Sequence, residues 1–99
     1  MPRSEVDEGR LILRRSPEER KPLVLRLNRI EGQVRGLKAM IYDDRYCSDE
    51  LHQMKASIAG LKQVAIMLTE QHSEAAFTQS LSDLARSDLM DVIKDLLKL

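Results

Sequence analysis

A repeating pattern of apolar residues in the middle of the chain constrains its fold more than any other feature. The pattern follows a heptad spacing and comprises Leu51, Met54, Ile58, Leu61, Ala65 and Leu68. Residues at this spacing lie along one side of an α-helix and form a seam that another helix covers. One further step in each direction reaches Cys47 and His72, so two potential ligands belong to the same seam. We therefore predict a long seam helix whose N-cap is Ser48 or Asp49.

The two ends of this seam helix are too far apart to form one site within a single chain. Cys47 and His72 are 25 residues apart, which corresponds to roughly 37 Å along an α-helix. In an antiparallel pair of such helices about a two-fold axis, residue i lies opposite residue 119 − i, and Cys47 meets His72 of the second chain. The helices then cross between Ala59 and Gly60, where small side chains permit a close approach. This arithmetic predicts a homodimer with two Cys47–His72 sites. A monomeric three-helix bundle is the alternative.

A second amphipathic pattern precedes the seam helix. Its apolar residues are spaced by four and three positions and comprise Leu23, Leu27, Ile30, Val34, Leu37 and Ile41. The segment 16–19, Ser-Pro-Glu-Glu, has the order of a capping box with proline in the first turn, which predicts a helix start there. Pro22 removes a backbone hydrogen bond, so the regular helix is expected to begin only at Pro22 and to run to about Asp43.

A third, shorter helix is predicted after Ser87 and Asp88, where apolar residues recur at helical spacing up to Leu97. Aromatic residues make up 3% of the chain, and a core of aliphatic side chains favours helix packed on helix. Residues 1–15 are polar, contain Gly9 and show no sustained period, so we expect a flexible arm there. The predicted fold is therefore an all-α, three-helix subunit at residues 16–99.

Basic residues are concentrated in the N-terminal third of the chain. Residues 1–38 contain ten Lys and Arg against six Asp and Glu, and residues 39–99 contain six against ten, although the formal net charge is zero. On the first helix, Arg26, Arg29, Arg35 and Lys38 are candidates for phosphate contacts, and a dimer presents each of them twice. This distribution favours double-stranded DNA as a partner. A helical scaffold that binds no DNA and has an inert cysteine is the alternative from a different functional class.

The composition disfavours several other functional classes. No apolar run reaches the roughly 20 residues of a membrane span, and no secretory signal is visible, so we expect a cytoplasmic protein without a membrane partner. There is no glycine-rich phosphate loop, paired-carboxylate pocket or Ser-His-Asp set, so neither an enzyme nor a catalytic cofactor is expected. The single cysteine, Cys47, cannot form an internal disulfide, which leaves it as a candidate ligand or nucleophile.

A run of twelve residues and several positions after it carry a family resemblance. The run RLNRIEGQVRGL at 26–37, the segment DRYC at 44–47, and Gln53, Met54, Ala56 and His72 closely resemble the CsoR/RcnR family of metal-sensing bacterial transcriptional repressors. The resemblance covers about residues 20–97. It implies three-helix subunits that dimerise through an antiparallel helix pair and assemble into disc-shaped homotetramers. It also implies repression of an operon by DNA binding, with release when an effector binds.

The resemblance also implies a metal site. Its copper-sensing members have one cysteine from one subunit, and a histidine and a second cysteine four residues later from the other. Here the first two positions are Cys47 and His72, but the third is Ala76. Tyr46 and Asp91 are expected to support the ligands from outside. The implied effector is Cu(I), which accepts two soft donors; nickel or cobalt is less suited because the arm has no histidine.

A reactive aldehyde is the alternative effector. Family members that detect formaldehyde retain the cysteine, need no third thiol and use the amine of an N-terminal proline as a second nucleophile. Cys47 would be the nucleophile here, and this chain has Pro2, although on a longer arm. Persulfide sensing is disfavoured because those members have a second cysteine at the position of His72.

Overall fold

The computed structural model, which describes residues 3–78 and 83–99, contains a β-hairpin followed by three helices. The elements are β1 (Arg3–Asp7), β2 (Arg10–Arg14), α1 (Pro17–Tyr42), α2 (Cys47–Thr78) and α3 (Asp83–Leu97). Helix α1 packs along α2, and both α3 and the hairpin lie against α2. None of these helices is long and apolar enough to cross a membrane. The prediction of three helices is confirmed, and the hairpin is an addition to the all-α class.

Helix α1 begins at the predicted capping box. The Glu19 N–H donates to the Ser16 hydroxyl at 3.2 Å, and the Ser16 N–H donates to the Glu19 carboxylate at 3.0 Å. This backbone hydrogen bond from Ser16 is the main cause of the lowered pKa of Glu19. The expected delay to Pro22 is wrong, because α1 already begins at Pro17 and continues through Pro22. The two reciprocal hydrogen bonds between Ser16 and Glu19 stabilise the first turn. The helix therefore continues through Pro22, although this residue cannot donate a backbone hydrogen bond.

Helix α2 is continuous over 32 residues and packs against α1 through a side different from the seam. Val64 of α2 forms a buried cluster with Leu23 and Ile30 of α1. A Cβ atom added to Gly60 would lie 3.0 Å from Cγ1 of Ile30 in the same chain. Gly60 therefore permits the close approach of α1. The crossing of two seam helices near Ala59 and Gly60 involves a second chain and stays a prediction.

The seam residues of α2 are uncovered in the single chain. Leu51 is 61% exposed and Leu61 is 49% exposed, and Met54, Ile58 and Leu68 also belong to the exposed large apolar residues. Residues three positions apart on a helix are separated by about 60° around its axis, so the seam lies beside the side that contacts α1. An apolar stripe of this length on a small domain is typical of a protein–protein interface.

Residues 3–14 belong to the segment predicted as a flexible arm, and they form an antiparallel hairpin in which Val6 pairs with Leu11. Met1 and Pro2, at the start of that segment, lie outside the described residues. The two-residue turn has Glu8 at φ 49° and Gly9 at φ 77°, and this left-handed pair matches the right-handed twist of the strands. Within β2 only Leu11 is buried. It packs with Ala76, Ala85 and Leu89, and this second core cluster holds the hairpin on the helices.

Helix α3 begins at Asp83, six residues before Leu89, the predicted start after Ser87 and Asp88. The prediction places Asp88 before the first turn of this helix. In the structure Asp88 is an interior residue of α3 and is only 7% exposed. The earlier start therefore makes Asp88 a buried carboxylate within the helix.

The contact between Gly60 and Ile30 yields a prediction for stability. Gly60→Leu should lower the free energy of unfolding by about 1–3 kcal/mol, because the added side chain overpacks the α1–α2 contact. Ile30→Ala removes the opposing atoms, so the double variant should lose less stability than the two single variants together, by about 0.5–3 kcal/mol. Urea denaturation of the four proteins measures this difference. Strict additivity would show that Gly60 does not face Ile30 in solution.

Candidate effector site

Cys47 is the first residue of α2, and its side chain is exposed. The backbone N–H groups of Asp49 and Glu50 donate to the Tyr46 carbonyl at 3.0 and 3.2 Å, which starts the helix immediately after Tyr46. The Tyr46 side chain is 80% exposed. Cys47, the candidate ligand, and Tyr46, the residue expected to support it, are therefore both accessible to a second molecule at this end of α2.

His72 lies in the opposite half of α2 and is buried, with 8% of its surface exposed. Its Nε2 atom is 2.9 Å from Oδ2 of Asp88. Nε2 has no hydrogen-bond partner among the described residues, so this approach is a close polar contact and not a well-directed hydrogen bond. Because Nε2 is directed to Asp88, Nδ1 is the ring nitrogen left for an external ligand.

The carboxylate beside His72 belongs to Asp88 and not to Asp91, for which the family resemblance predicts this supporting role. Asp91 is exposed, one turn later on α3, and borders a polar cavity of about 700 Å³ together with His72 and Asp88. Oδ2 of Asp88 also accepts a hydrogen bond from the backbone N–H of Leu11 at 3.1 Å. One carboxylate oxygen of Asp88 thus contacts both His72, the candidate ligand, and the backbone of the hairpin.

Sequence reasoning missed Asp88 and Leu11, but a weak signal for Asp88 was present. Ala85, Asp88 and Leu89 are spaced as one side of a helix, provided that the helix begins before Ser87. An acid on an apolar side requires a partner when it is buried. No comparable signal marked Leu11, because its contacts connect residues 77 positions apart in the sequence.

Ala76, at the position where the resemblance implies a third donor, is fully buried. Its relative exposure is 0%, and it belongs to the cluster with Leu11, Ala85 and Leu89. This part of α2 therefore faces the hairpin and α3, so the methyl group contributes to the subunit's own core.

A single chain does not bring the two ligand candidates together. Cys47 and His72 stand near opposite ends of one continuous helix. Among the described residues there is no group of three or more His, Cys, Asp and Glu that could hold a metal ion. His72 also borders an apolar groove of about 540 Å³ between the hairpin, α2 and α3, which includes the seam residues Ala65 and Leu68. A donor from another molecule would have to approach His72 along such a surface.

The four predicted DNA-binding residues, Arg26, Arg29, Arg35 and Lys38, are all exposed on α1. Successive residues of a helix are rotated by about 100°, so Arg26 lies beside Arg29 and Arg35 lies beside Lys38. Arg29 and Arg35 are separated by about 120°. The structure therefore presents two basic pairs on different sides of α1 instead of one continuous patch.

Comparison with known proteins identifies the family. Residues 19–99 match the family described as metal-sensitive transcriptional repressors. The chain belongs to this family. The copper-sensing transcriptional repressor CsoR of Bacillus subtilis (strain 168) is 38% identical over 96 residues, covering 93% of this chain and 95% of that protein. The copper-sensing transcriptional repressor RicR of Mycobacterium tuberculosis (strain ATCC 25618 / H37Rv) is 41% identical over 58 residues, covering 59% and 60% of the respective chains.

Solved structures agree with this family assignment. The copper-sensing repressor CsoR with Cu(I) from Geobacillus thermodenitrificans NG80-2 superimposes with a TM-score of 0.76 at 36% identity, covering 98% of both chains. The nickel-responsive transcriptional regulator InrS gives a TM-score of 0.70 at 29% identity, covering 83% of this chain and 97% of that one. The predicted resemblance to metal-sensing repressors is confirmed.

The burial of Ala76 predicts the behaviour of a thiol at that position. In Ala76→Cys the new thiol should react with a disulfide reagent roughly 100-fold more slowly than Cys47, because it becomes accessible only when the hairpin opens locally. Phe77→Cys is the matched control, since Phe77 is 64% exposed and its replacement should react as fast as Cys47. Equal rates for positions 76 and 77 would show that Leu11 does not cover Ala76.

Proposed function

We propose that this family member is a DNA-binding repressor that Cu(I) releases, and that the ion is bound by Cys47 of one subunit and His72 of another. The observation that supports this most is the uncovered apolar stripe on α2, which has an exposed thiol at one end and a histidine near the other. Antiparallel pairing of two stripes covers the apolar surface and, in the same step, brings each thiol to a histidine.

The donors fit the chemistry of a soft monovalent ion. Thiolate and neutral imidazole suit Cu(I), which accepts low coordination numbers. Asp88 occupies Nε2 of His72 and leaves Nδ1 for the ion, which fixes the ring nitrogen that can coordinate. With Ala76 inside the core, a two-donor site is the arrangement that these residues support.

The DNA partner is proposed from the basic residues of α1 and from the repressor family. Dimerisation, and the homotetramer that the resemblance implies, would repeat the two basic pairs at defined spacings along a duplex. Contacts of this kind are made with DNA phosphates. They therefore contribute to affinity and to its salt dependence more than to sequence preference. Effector binding would favour an assembly in which the pairs fit the duplex less well.

The two basic pairs give a test of the DNA surface. Replacing Arg35 and Lys38 together by Ala should weaken operator binding and reduce the log–log salt slope by about one per lost phosphate contact. The Arg26 and Arg29 double variant should behave likewise only if both sides of α1 face DNA. Lys98→Ala, on an exposed residue of the C-terminal end, is the control. If neither pair changes affinity or slope, α1 is not the DNA-binding element.

A mixing experiment tests the site between subunits. Cys47→Ser and His72→Gln proteins should each fail to bind Cu(I) in competition with a moderate chelator. When equal amounts are unfolded and refolded together, half of the dimers contain one intact pair, so about one quarter of the wild-type capacity should return. Size-exclusion chromatography confirms that the mixed assemblies have the wild-type size.

The outcomes separate this proposal from its rivals. A mixture that binds no Cu(I), while the wild type does, would exclude a shared Cys47–His72 site. If the wild type ignores Cu(I) but loses DNA after treatment with formaldehyde, and Cys47→Ser does not, Cys47 is a nucleophile for an aldehyde. A protein that shows no salt-dependent DNA binding at all would instead be a helical scaffold.

A further inference from the structure

The side chain of Gln53 on α2 reaches across to the backbone of α1. Its Nε2 atom donates a hydrogen bond to the carbonyl oxygen of Gln33 at 2.8 Å, although the two residues are 20 positions apart in the sequence. A backbone carbonyl has two lone pairs, so the Gln33 oxygen can accept this bond in addition to the one within its helix. The bond is partly buried, so water competes for it less than at an exposed site. Gln53 therefore connects the two long helices directly.

A glycine on α1 makes room for this side chain. A Cβ atom added to Gly36 would lie 2.9 Å from Nε2 and 3.9 Å from Cδ of Gln53. The amide would then have to move away from the Gln33 carbonyl. Gly32, one turn earlier, is different, because its added Cβ atom would lie 3.9 Å from Nη2 of Arg35, an ordinary van der Waals distance. Of the two glycines in the segment IEGQVRG at 30–36, Gly36 is therefore the one that the Gln53 contact requires.

The Gln53 contact differs in kind from the apolar part of the α1–α2 interface. That part is the buried cluster of Leu23, Ile30 and Val64. Apolar packing is non-directional, whereas a hydrogen bond requires a defined distance and angle. The cluster therefore holds α1 on α2, and the bond from Gln53 specifies how the following part of α1 is rotated against α2.

The same part of α1 carries one of the two basic pairs. Arg35 directly precedes Gly36, and Lys38 follows two residues later; both basic side chains are exposed. A rotation of α1 about its axis would move Arg35 and Lys38 relative to the same pair of a second subunit. The spacing of phosphates along a duplex is fixed, so two copies of the pair bind well together only in a matching orientation. The rotation that Gln53 specifies is therefore the orientation of this proposed phosphate-binding pair.

We propose that Gln53 is a positioning residue for DNA binding, which holds Arg35 and Lys38 in the orientation that fits a duplex. The inference rests on the proposed function, because it concerns the same DNA surface. Gln53 acts through the two basic residues and not on the DNA. Loss of its bond lowers the fraction of molecules with the matching orientation, so the apparent affinity falls by that fraction. The number of phosphates contacted in the complex stays the same, and so does the salt slope.

The experiment measures binding of the effector-free protein to a mixed-sequence DNA duplex over a range of salt concentrations. Gln53→Met nearly keeps the size of the side chain but removes the donor. It should weaken binding by roughly three- to tenfold, the effect of one lost hydrogen bond, with an unchanged log–log salt slope. Loss of a phosphate contact would instead reduce the slope by about one. Gln63→Met makes the same change at an exposed position of α2 and should leave the affinity unchanged.

The glycine on α1 provides a second test. Gly36→Ala should weaken DNA binding by a similar factor, because the new methyl group displaces the Gln53 amide; alanine also favours the helix, so α1 stays folded. Gly32→Ala is the matched control and should leave the affinity unchanged. Gly36→Ala combined with Gln53→Ala should bind no more weakly than Gln53→Ala alone, whereas independent effects would multiply.

Size-exclusion chromatography and circular dichroism should give every variant the size and helix content of the wild type. If Gln53→Met is less stable but binds DNA as the wild type does, Gln53 only stabilises the fold and the inference is wrong. A reduced salt slope would show that Gln53 contacts DNA itself, and multiplied effects would show that Gly36 and Gln53 act separately; either result overturns the inference. If Gln53→Met fails to fold, the comparison of Gly36→Ala with Gly32→Ala decides the question.

The failures of the two proposals are distinguishable. If the wild type binds the duplex and Gln53→Met binds it equally well, only the positioning role of Gln53 is removed, and the proposed DNA surface is unaffected. If the wild type shows no salt-dependent binding to the duplex, the proposed function fails, and the positioning role fails with it.

Discussion

Helix α2 has two apolar sides, and the rest of the structure depends on what covers each of them. One side is covered by α1, at the close contact between Gly60 and Ile30 and at the buried Val64. The other side, about 60° away around the axis, consists of large exposed residues from Leu51 to Leu68. Because one chain covers only the first side, hydrophobic burial is incomplete in the monomer, and the second side favours association.

The ends of α2 have different chemical surroundings, which suits a site made from two unlike halves. Cys47 is accessible at the first turn, where an incoming ligand or molecule meets no barrier. His72 is held inside the subunit by contacts with α3 and borders surfaces formed with the hairpin. In the proposed site, an exposed thiol of one subunit and a buried histidine of another would bind the same ion, so binding would change how the subunits fit together.

Ala76 and Asp88 are both buried beside the hairpin. A cysteine at position 76 would be implied by the copper-sensing pattern, but the small methyl group there allows Leu11 to pack into the cluster with Ala85 and Leu89. The hairpin thereby lies next to His72, and the carboxylate of Asp88 accepts a hydrogen bond from the Leu11 N–H of the hairpin. The methyl group at position 76 and the docked hairpin thus belong to the same packing arrangement.

The sequence by itself determined the three helices, the capping box at Ser16, the family, and the seam that carries Cys47 and His72, because periodicity, caps and motifs are local properties. It misplaced the start of α3 and missed the hairpin. Only the tertiary structure decided that Asp88, and not Asp91, meets His72, and that Ala76 lies beneath Leu11. These contacts join residues far apart in the chain, and their energy comes from burial, which no local pattern specifies.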